Sequence, residues 1–559
     1  MKKTMINNNV SVRACTNLRV ENMGYSLGDL LDGVATVVDP AAPALIHGDR
    51  VISWGEFDKR SNNLAKAMLD RGIKAGDKAA VYMRNCPEYC EAMAAAFKSR
   101  TVHHNVNFRY VEEELVYILD NSDAAVVFFA SEFSPQMEAI RPQLSKMKLF
   151  IEVTPEGQDP TLSGALSHES LAESGDGAPL AIERSGDDQF FLYTGGTTGM
   201  PKAVMWPHET FRQLGVEGAR LLGKDYSTLE STLAALKAEP STARHLPACP
   251  LMHATGLFTS MSTLFAGGAV VTMDANGGFD PEAIWETVVK NDVSAMAIVG
   301  DAFAKPMLRA LQENPGRFNL DHVAAITSSG VMWSREVKLG LLEHMPNVIL
   351  QDSFGASEAV GFGTSIMANG LETTTAKFEI GAHCKVFAED GREVVPGSGE
   401  PGFIARSGNI PLGYYKDKEK SDKTFKVING ERYSVPGDWC TVEVDGTITL
   451  LGRGSVCINS AGEKIYPEEV EEVIKAIDGI RDALVVGVPD EKWGNAVIAV
   501  VEGIELPAEE MKGIIKKHLA SYKVPKRFLF KESLGRAPNG KADYKTITQY
   551  AKDTLGISG

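Results

Sequence analysis

The chain has 559 residues and a formal net charge of −16, with 44% hydrophobic and 23% charged residues. This length is too great for one compact core, so at least two domains are expected, and the composition is typical of a globular protein. No basic run points to a nucleic-acid partner, and seven cysteines without a Cys-x-x-Cys pair argue against a disulfide framework or a zinc site. No apolar run approaches the length of a membrane-spanning helix, and Met1–Asn9 lacks the apolar stretch of a secretory signal. We therefore expect a cytoplasmic protein without an integral membrane segment.

Short apolar runs alternate with helical patterns along the first two thirds of the chain. The predicted strands are 79–83, 126–130, 269–273, 295–299, 323–327 and 348–350, and the clearest predicted helices are 88–98 and 281–290. This alternation favours parallel sheets covered on both faces, with binding loops at the carboxyl ends of the strands. Thr194, Ser328 and Asp352 each follow an apolar run, so we expect three segments to converge on one crevice. Residues 155–187 are predicted to form a surface linker and 216–245 a helical insertion.

The pattern changes after Glu389, where proline and glycine become frequent and short alternating runs appear. Asp445-Gly446 is a hairpin signal, so this region is predicted to be a small antiparallel β unit. Beyond Arg453 the pattern predicts a separate α+β module, with helices over 467–477 and 507–520 and strands over 483–488 and 496–501. The predicted fold class is α/β. It comprises a large domain, residues 1–452, of α/β subdomains with parallel sheets plus the small β unit, and a small mobile α+β domain, residues 453–559.

The stretch from Leu192 to Ala203, LYTGGTTGMPKA, is rich in glycine and threonine and follows an apolar strand pattern. Glycines let backbone N–H groups approach a ligand, and threonine hydroxyls and a lysine add donors, so the stretch predicts a polyphosphate-binding loop. It is not a Walker A loop, because Pro201 precedes Lys202 and Ala203 stands where a hydroxyl residue is required. An ordinary surface turn is the alternative for such a loop on its own.

Four further segments accompany the loop, namely Asp352–Glu358, Tyr433–Trp439, Gly452–Glu471 and Arg536–Lys541. In their order and spacing, the five segments resemble those of the adenylate-forming (AMP-binding) superfamily, which contains acyl-CoA synthetases, luciferases and the adenylation domains of peptide synthetases. The resemblance covers nearly the whole chain, from about Ser53 to Tyr544.

The resemblance implies an ATP-dependent carboxylate–CoA ligase that forms AMP. Such an enzyme activates a medium- or long-chain or bulky apolar carboxylic acid as the acyl-adenylate and then transfers the acyl group to CoA. ATP, Mg²⁺ and CoA are the implied cofactor and cosubstrates. Met252–Phe258 contains no acidic residue, unlike the segment that anchors the amino group in peptide-synthetase domains. The segments expected to form the acyl pocket are mostly apolar: 256–264, 298–307, 331–333 and 360–363.

Two alternatives stay open: an enzyme that loads an acyl carrier protein, and a non-catalytic nucleotide-binding homologue. Lys541, Glu358 and Asp438 are all present, which argues against the second. A homodimer is a further open expectation.

The resemblance assigns nucleotide-binding roles along the chain. The phosphate grip falls to Thr194, Gly195, Gly196, Thr197, Thr198, Gly199 and Lys202; the backbone along the nucleotide to Ser329 and Gly330; the adenine site to Asp352, Phe354, Gly355 and Ser357; and the ribose or phosphate contacts to Asp438 and Arg453.

Catalytic roles fall on three residues. By the resemblance, Lys541 bridges the carboxylate and the α-phosphate in the transition state, Glu358 binds Mg²⁺, and His253 lies between the acyl pocket and the thiol path. A helix N-cap at Ser357 followed by Glu358 in the first turn is the structural alternative, and both roles are compatible.

The small domain carries the implied CoA path and hinge. Gly462 and Lys464 belong to the pantetheine path, and Ser455 stands at the position about which the small domain rotates between the two half-reactions. Three residues depart from the family pattern, which usually has Ser at 195, Gly at 203 and Asp or Lys at 455: Gly195, Ala203 and Ser455.

Overall fold

A computed structural model describes residues 24–194, 200–274, 278–330, 333–371, 377–453, 458–465, 467–475, 477–535 and 544–557. Within these residues the strands form four sheets, of seven, fifteen, three and two strands. Every segment of the fold given below refers to this part of the chain.

The first part of the chain builds the seven-stranded sheet, the helices around it, and the strands β1 and β2 at one edge of the fifteen-stranded sheet. Its elements are α1 (Leu27–Val37), β1 (Pro43–His47), β2 (Arg50–Ser53), α2 (Trp54–Asp70), β3 (Lys78–Tyr82), α3 (Pro87–Lys98), β4 (Val102–Asn105), α4 (Glu112–Asn121), β5 (Ala124–Ala130), α5 (Ser134–Ile140), β6 (Leu149–Val153), β7 (Leu166–Ser167), α6 (His168–Glu173), β8 (Gln189–Thr194) and β9 (Lys202–Pro207). The strand order is β7-β6-β5-β3-β4-β8-β9, and every pair is parallel except β8–β9.

The next part builds most of the fifteen-stranded sheet. Its elements are α7 (His208–Leu221), α8 (Leu229–Ala238), β10 (Arg244–Pro247), α9 (Ala254–Phe265), β11 (Ala269–Thr272), α10 (Pro281–Lys290), β12 (Ala295–Ile298), α11 (Gly300–Glu313), β13 (Ala325–Ser329), α12 (Arg335–His344), β14 (Ile349–Ala356), β15 (Ala359–Met367) and β16 (Lys377–Ile380). Strands β1, β11, β10, β12, β13 and β14 run parallel, so their carboxyl ends share one edge.

The same sheet continues into an antiparallel unit. Its elements are β17 (Cys384–Phe387), β18 (Gly402–Arg406), α13 (Lys418–Thr424), β19 (Phe425–Ile428), β20 (Glu431–Ser434), β21 (Asp438–Val442) and β22 (Ile448–Arg453). The turn at Asp445-Gly446 joins β21 to β22, as the sequence predicts, and Gly446 has the positive φ of 81° that such a turn requires.

The last part forms the small module. Its elements are β23 (Ile458–Ser460), β24 (Glu463–Ile465), α14 (Pro467–Lys475), β25 (Ile480–Asp490), β26 (Gly494–Gly503), α15 (Ala508–His518), β27 (Arg527–Phe530) and α16 (Tyr544–Leu555). Strands β23 and β24 form a hairpin, and β25-β26-β27 form the three-stranded sheet.

The main core lies between the two large sheets, where α3 and α9 are enclosed. All twelve residues of α3 are buried, which its small alanines permit, and Pro87 occupies the first helical turn, where a missing N–H is tolerated. On α9, Leu257, Met261 and Leu264 face this core, while the opposite face remains available for a cavity. The packing of this apolar face therefore fixes the orientation of α9 against the fifteen-stranded sheet.

Several predicted elements agree with the structure, and four need correction. The helix over 281–290 is confirmed at both ends. The predicted strand 323–327 lies at 325–329, and the predicted strand 348–350 extends to Ala356, so Asp352 lies within β14 rather than after it. The insertion predicted over 216–245 ends in strand β10, and the linker predicted over 155–187 contains β7 and α6.

Candidate active site

A cavity of about 570 Å³ opens where the two large sheets and the small module meet. Its walls come from the carboxyl ends of β8, β13 and β14, from the exposed face of α9, and from the hairpin β23–β24 of the small module. The parallel strands β13 and β14 end at one edge of the fifteen-stranded sheet, and the packing of the two sheets brings the end of β8 to the same place.

Eight of the residues predicted for the site line this cavity: Thr194, His253, Ser329, Gly330, Phe354, Gly355, Ser357 and Gly462. The register explains the convergence, because Ser329 on β13 is the partner of Ser353 on β14. The expectation of one shared crevice is therefore confirmed for these segments, while the role of each residue stays a prediction.

Glu358 and Lys202 lie beside the cavity rather than among its lining residues. Glu358 is 8% exposed, and its Oε1 accepts a hydrogen bond of 2.6 Å from the hydroxyl of Tyr414. The indole of Trp206 donates to the carbonyl oxygen of Ser357 at 3.0 Å, which fixes the neighbouring backbone. Lys202 pairs with Asp417. A phosphate would therefore compete with Asp417 for this lysine.

Asp352 faces away from the cavity. It lies inside β14, so its side chain points to the sheet face opposite Ser353, and Lys338 of α12 approaches its Oδ2 at 3.3 Å. Burial raises the pKa of the Asp352 carboxyl to about 6, against the opposing effect of Lys338. The expectation that Asp352 meets an adenine amino group remains a prediction, which this geometry does not favour.

The Cα atoms of Asp438 and Arg453 are partners in the register of the β21–β22 pair. Asp438 is 6% exposed. The antiparallel pairing thus brings together the two residues assigned to the ribose, although they are distant in sequence.

Part of the predicted site lies outside the described residues. This applies to Gly195, Gly196, Thr197, Thr198, Gly199, Ser455 and Lys541, and nothing is said of their structure. Lys464 is described in its backbone, where it pairs with Asn459 across the β23–β24 hairpin.

The β23–β24 hairpin carries Gly462 to the cavity wall. Gly462 has a φ of +83°, and a Cβ added there would lie 3.3 Å from Cε2 of Phe303 and 3.5 Å from Cγ1 of Val299. Both conformation and space therefore favour glycine at this turn. At this turn the backbone of the small module can therefore lie close to Val299 and Phe303 of the large domain, because Gly462 has no side chain.

Glu463 is a cavity residue that the sequence analysis did not single out. It is 5% exposed, its Oε2 lies 3.2 Å from Nε2 of His253, and its Oε1 pairs with Arg109. The only sequence signal is its position directly after Gly462. One carboxylate of the small module therefore contacts two basic side chains of the large domain.

Three further polar contacts hold the small module against the segment that precedes and starts α4. Asn107 donates to the hydroxyl of Tyr522 at 3.1 Å, Lys523 pairs with Glu114 at 2.6 Å, and His518 lies 2.9 Å from Glu113. The Lys523–Glu114 pair is buried on both sides. Removing one charge of such a pair is strongly destabilising, so it favours the observed orientation of the module.

A slot leads from His253 along the face of α9. The helix contributes residues at i, i+3, i+4, i+7 and i+8 to it: Thr255, Phe258, Thr259, Ser262 and Thr263. At 1.5 Å per residue, the face from Ala254 to Thr263 is roughly 13 Å long, enough for an acyl chain of medium length. His245 of β10 closes one side, with its Nε2 2.9 Å from Oγ1 of Thr259.

The slot corrects one expectation about the acyl pocket. The α9 face carries four hydroxyl residues, whereas the segment 256–264 was expected to contribute an apolar wall. Thr259 and Thr263 donate their hydroxyls to carbonyls one turn earlier, at 2.7 and 2.9 Å, which lowers their polarity towards the cavity. Trp333, also expected in the acyl pocket, packs instead with buried residues of the helices on the other face of the fifteen-stranded sheet, among them Trp285 and Leu341.

Comparison with known proteins agrees with this arrangement. Residues 35–415 match the family described as AMP-binding enzyme, and residues 469–541 match the AMP-binding enzyme C-terminal domain. The chain therefore belongs to the AMP-binding enzyme family.

The chain is similar in sequence to curated proteins and similar in fold to solved structures. The chain is 39% identical over 534 residues to a medium/long-chain-fatty-acid–CoA/3-oxocholest-4-en-26-oate–CoA ligase of Mycobacterium marinum, covering 94% of this chain and 96% of that protein. It is 39% identical over 548 residues to a 3-oxocholest-4-en-26-oate–CoA ligase of Rhodococcus rhodochrous, covering 96% of this chain and 97% of the relative. An amide bond synthetase of Marinactinospora thermotolerans shares the fold, with a TM-score of 0.76 at 20% identity, over 93% of this chain and 99% of that one. Among the described residues, no helix is both long and apolar enough to cross a membrane.

Proposed function

We propose that this protein is an ATP-dependent, AMP-forming carboxylate–CoA ligase that activates a medium- or long-chain or bulky apolar acid. The observation that carries the proposal is one continuous cavity that joins the nucleotide segments, the α9 slot and the Gly462 turn of the small module. In such an enzyme a nucleotide, an acyl chain and a thiol must meet, and the three parts of this cavity would bind them in that order. The names of the two relatives support the same activity.

The first half-reaction joins the acid to AMP. A carboxylate oxygen attacks the α-phosphorus of ATP, the bond to the β-phosphate oxygen breaks, and pyrophosphate leaves with its electron pair. The protein's part is to position the reactants and stabilise charge. The α9 slot holds the acyl chain, Ser329, Gly330 and Phe354 border the nucleotide, and Lys541 supplies positive charge at the reacting oxygens.

Glu358 is the residue that would hold Mg²⁺. Its Oε1 accepts from Tyr414, which leaves the other carboxylate oxygen to a cation. Mg²⁺ takes one or two carboxylates together with phosphate oxygens and waters, so this single acid fits the ion. The ion would neutralise charge on the phosphates.

The second half-reaction transfers the acyl group to sulfur. The thiol sulfur of CoA attacks the acyl carbonyl and releases its proton to solvent; as the carbonyl re-forms, the bond from the acyl carbon to the phosphate oxygen breaks and AMP leaves with its electron pair. Gly462 beside Val299 and Phe303 fits a pantetheine path at this point. We infer that the observed orientation of the small domain serves this step, with residues 1–452 and 453–559 as the two moving parts.

A cytoplasmic setting belongs to the same proposal, because ATP and CoA are cytoplasmic cosubstrates and Cys86, Cys90, Cys249, Cys384 and Cys440 are free thiols. Self-association as a homodimer stays a prediction, which sedimentation of the purified chain would test.

A panel of acids tests the substrate class. Octanoate, palmitate and 3-oxocholest-4-en-26-oate, the acid that both relatives' names include, would be compared with acetate and an α-amino acid, with CoA thioester measured by mass spectrometry. We expect a higher kcat/KM for octanoate or a larger acid than for acetate or the amino acid. The reverse order would contradict the assignment. Acyl-adenylate formation without CoA thioester would instead indicate a carrier protein as the acceptor.

A further inference from the structure

Two asparagine side chains of the first sheet hold the loop that ends at His253. Asn85, after β3, donates to the carbonyl oxygens of Pro247 at 3.1 Å and Cys249 at 3.0 Å, and accepts from the N–H of Leu251 at 2.7 Å. Asn105, the last residue of β4, donates to the carbonyl oxygen of Met252 at 2.5 Å. The backbone just before His253 is therefore fixed by side chains of another sheet.

Asn105 alone makes a second connection. Its Oδ1 accepts from the N–H of Tyr193 at 2.8 Å, and its Nδ2 donates to the carbonyl oxygen of the same residue at 3.2 Å. The register pairs β4 with β8 only at His104 and Phe191, so the Asn105 amide continues that ladder with its side chain where the backbone of β4 departs. Tyr193 directly precedes Thr194 and the glycine-rich loop.

One buried amide group thus bonds both to the end of β8, directly before the glycine-rich loop, and to the loop that ends at His253. Asn105 is 3% exposed and lines the cavity. Only an amide can accept from one backbone N–H and donate to two carbonyls here, because a carboxylate has no donor and an apolar side chain has neither. Leaving buried backbone groups unpaired is unfavourable, so both loops would shift to find other partners.

We propose that Asn105 is a positioning residue that couples the end of β8, from which the phosphate-binding segment follows in the chain, to the His253 loop, so that the nucleotide and the acid are held in register. The inference rests on the proposed function for the identity of the two ligands. Asn85 provides the matched control, since it holds the same His253 loop through three hydrogen bonds but, among the described residues, makes no hydrogen bond to β8.

The test compares Asn105→Asp with Asn85→Asp in two measurements. Calorimetric titration with ATP alone reports the phosphate-binding side, and acid-dependent ATP–pyrophosphate exchange with octanoate gives the KM of the acid. Asn105→Asp is expected to weaken ATP binding and to raise the KM for octanoate, each by about tenfold, the usual effect of losing a buried hydrogen bond or two. Asn85→Asp is expected to raise only the KM for octanoate and to leave ATP binding within about twofold of wild type.

Unchanged ATP binding in Asn105→Asp would overturn the inference, as would equal weakening of ATP binding in both variants, because a general structural role predicts no difference. If Asn105→Asp does not fold, Asn105→Ser, which is neutral and leaves room for water, is judged by the same two measurements. A wild-type protein without acid-dependent exchange would refute the proposed function, while the ATP titration would still decide on Asn105.

Discussion

Glu463 of the small module places its Oε2 3.2 Å from Nε2 of His253 in the large domain. The same carboxylate pairs with Arg109, so one buried acid at the cavity wall contacts two basic side chains. A charge-assisted contact of this kind is stronger than a neutral one, and it exists only while the module keeps this orientation.

Replacing Glu463 by glutamine should separate the two half-reactions. Glu463→Gln keeps the size but removes the charge that holds His253 and Arg109. Thioester formation from preformed acyl-adenylate should therefore fall about tenfold or more, while acid-dependent pyrophosphate exchange stays within about twofold. Glu505→Gln, at an exposed acid of the same module, is the control. Equal loss in both half-reactions would show that Glu463 supports the fold rather than the orientation.

The buried Lys523–Glu114 pair should stabilise the observed orientation. Lys523→Met leaves Glu114 as an uncompensated buried charge, at a cost of about 3–5 kcal/mol to this orientation. Thioester formation should fall, and limited proteolysis near residue 453 should become faster. The double variant Lys523→Met with Glu114→Gln removes both charges and should recover part of the thioester rate. Additive losses in the double variant would mean that the two side chains act independently.

Any side chain at position 462 should block thioester formation. Gly462→Leu combines a positive φ with a Cβ only 3.3 Å from Phe303, so the turn must move away from the cavity wall. Pyrophosphate exchange should persist, and thioester output should collapse. The control is Gly494→Leu, at a glycine of the same module that also has a positive φ but no neighbour within 4 Å of its added Cβ. A Gly462→Leu enzyme with wild-type thioester output would place the thiol elsewhere.

Buried histidines should make the fold sensitive to acid. Burial lowers the pKa of His103 to about 3 and of His104 to about 4, and both ring nitrogens of His103 lack a hydrogen-bond partner within the described structure. In the unfolded chain both histidines have a pKa near 6.5, so below that pH the unfolded chain binds more protons at these two positions than the folded protein does. These two histidines therefore do not reduce the free energy of unfolding above pH 6.5, and they reduce it increasingly as the pH falls from 6.5 towards their pKa values in the folded protein.

His103→Phe should reduce this acid sensitivity. Phenylalanine fits between Tyr89 and Phe97, whose rings lie 6.0 Å from that of His103. The slope of unfolding free energy against pH should decrease by up to about 1.4 kcal/mol per pH unit. Urea unfolding at a series of pH values measures it, with His344→Phe at a partly buried histidine as control. An unchanged slope would mean that His103 is protonated in the fold.

The sequence predicts those features that depend on local patterns and on strand direction. Helix 281–290 follows from its apolar spacing and its Asp280-Pro281 start, and the proximity of Ser329 and Phe354 follows from two neighbouring parallel strands. The adenylate-forming segments add the identity of the ligands.

Other features depend on contacts between distant residues and leave no local pattern. Arg109 and Glu463 are 354 positions apart, and the meeting of Asn105 with Met252 depends on how two sheets pack. The orientation of Asp352 was not foreseen because β14 continues six residues past Leu350, which turns that side chain to the opposite sheet face. Periodicity does not show which helix face meets a cavity, so the sequence predicts a mostly apolar wall over 256–264 where the structure places hydroxyl residues.

The nucleotide products test the central claim most directly. Purified protein would be incubated with ATP, Mg²⁺, octanoate and CoA, and the nucleotides, phosphates and thioester quantified together by chromatography and mass spectrometry. The account predicts AMP, pyrophosphate and octanoyl-CoA in equal amounts, with no product when the acid is omitted. ADP and inorganic phosphate formed in step with the thioester would contradict it, because they require an acyl-phosphate intermediate instead of an acyl-adenylate.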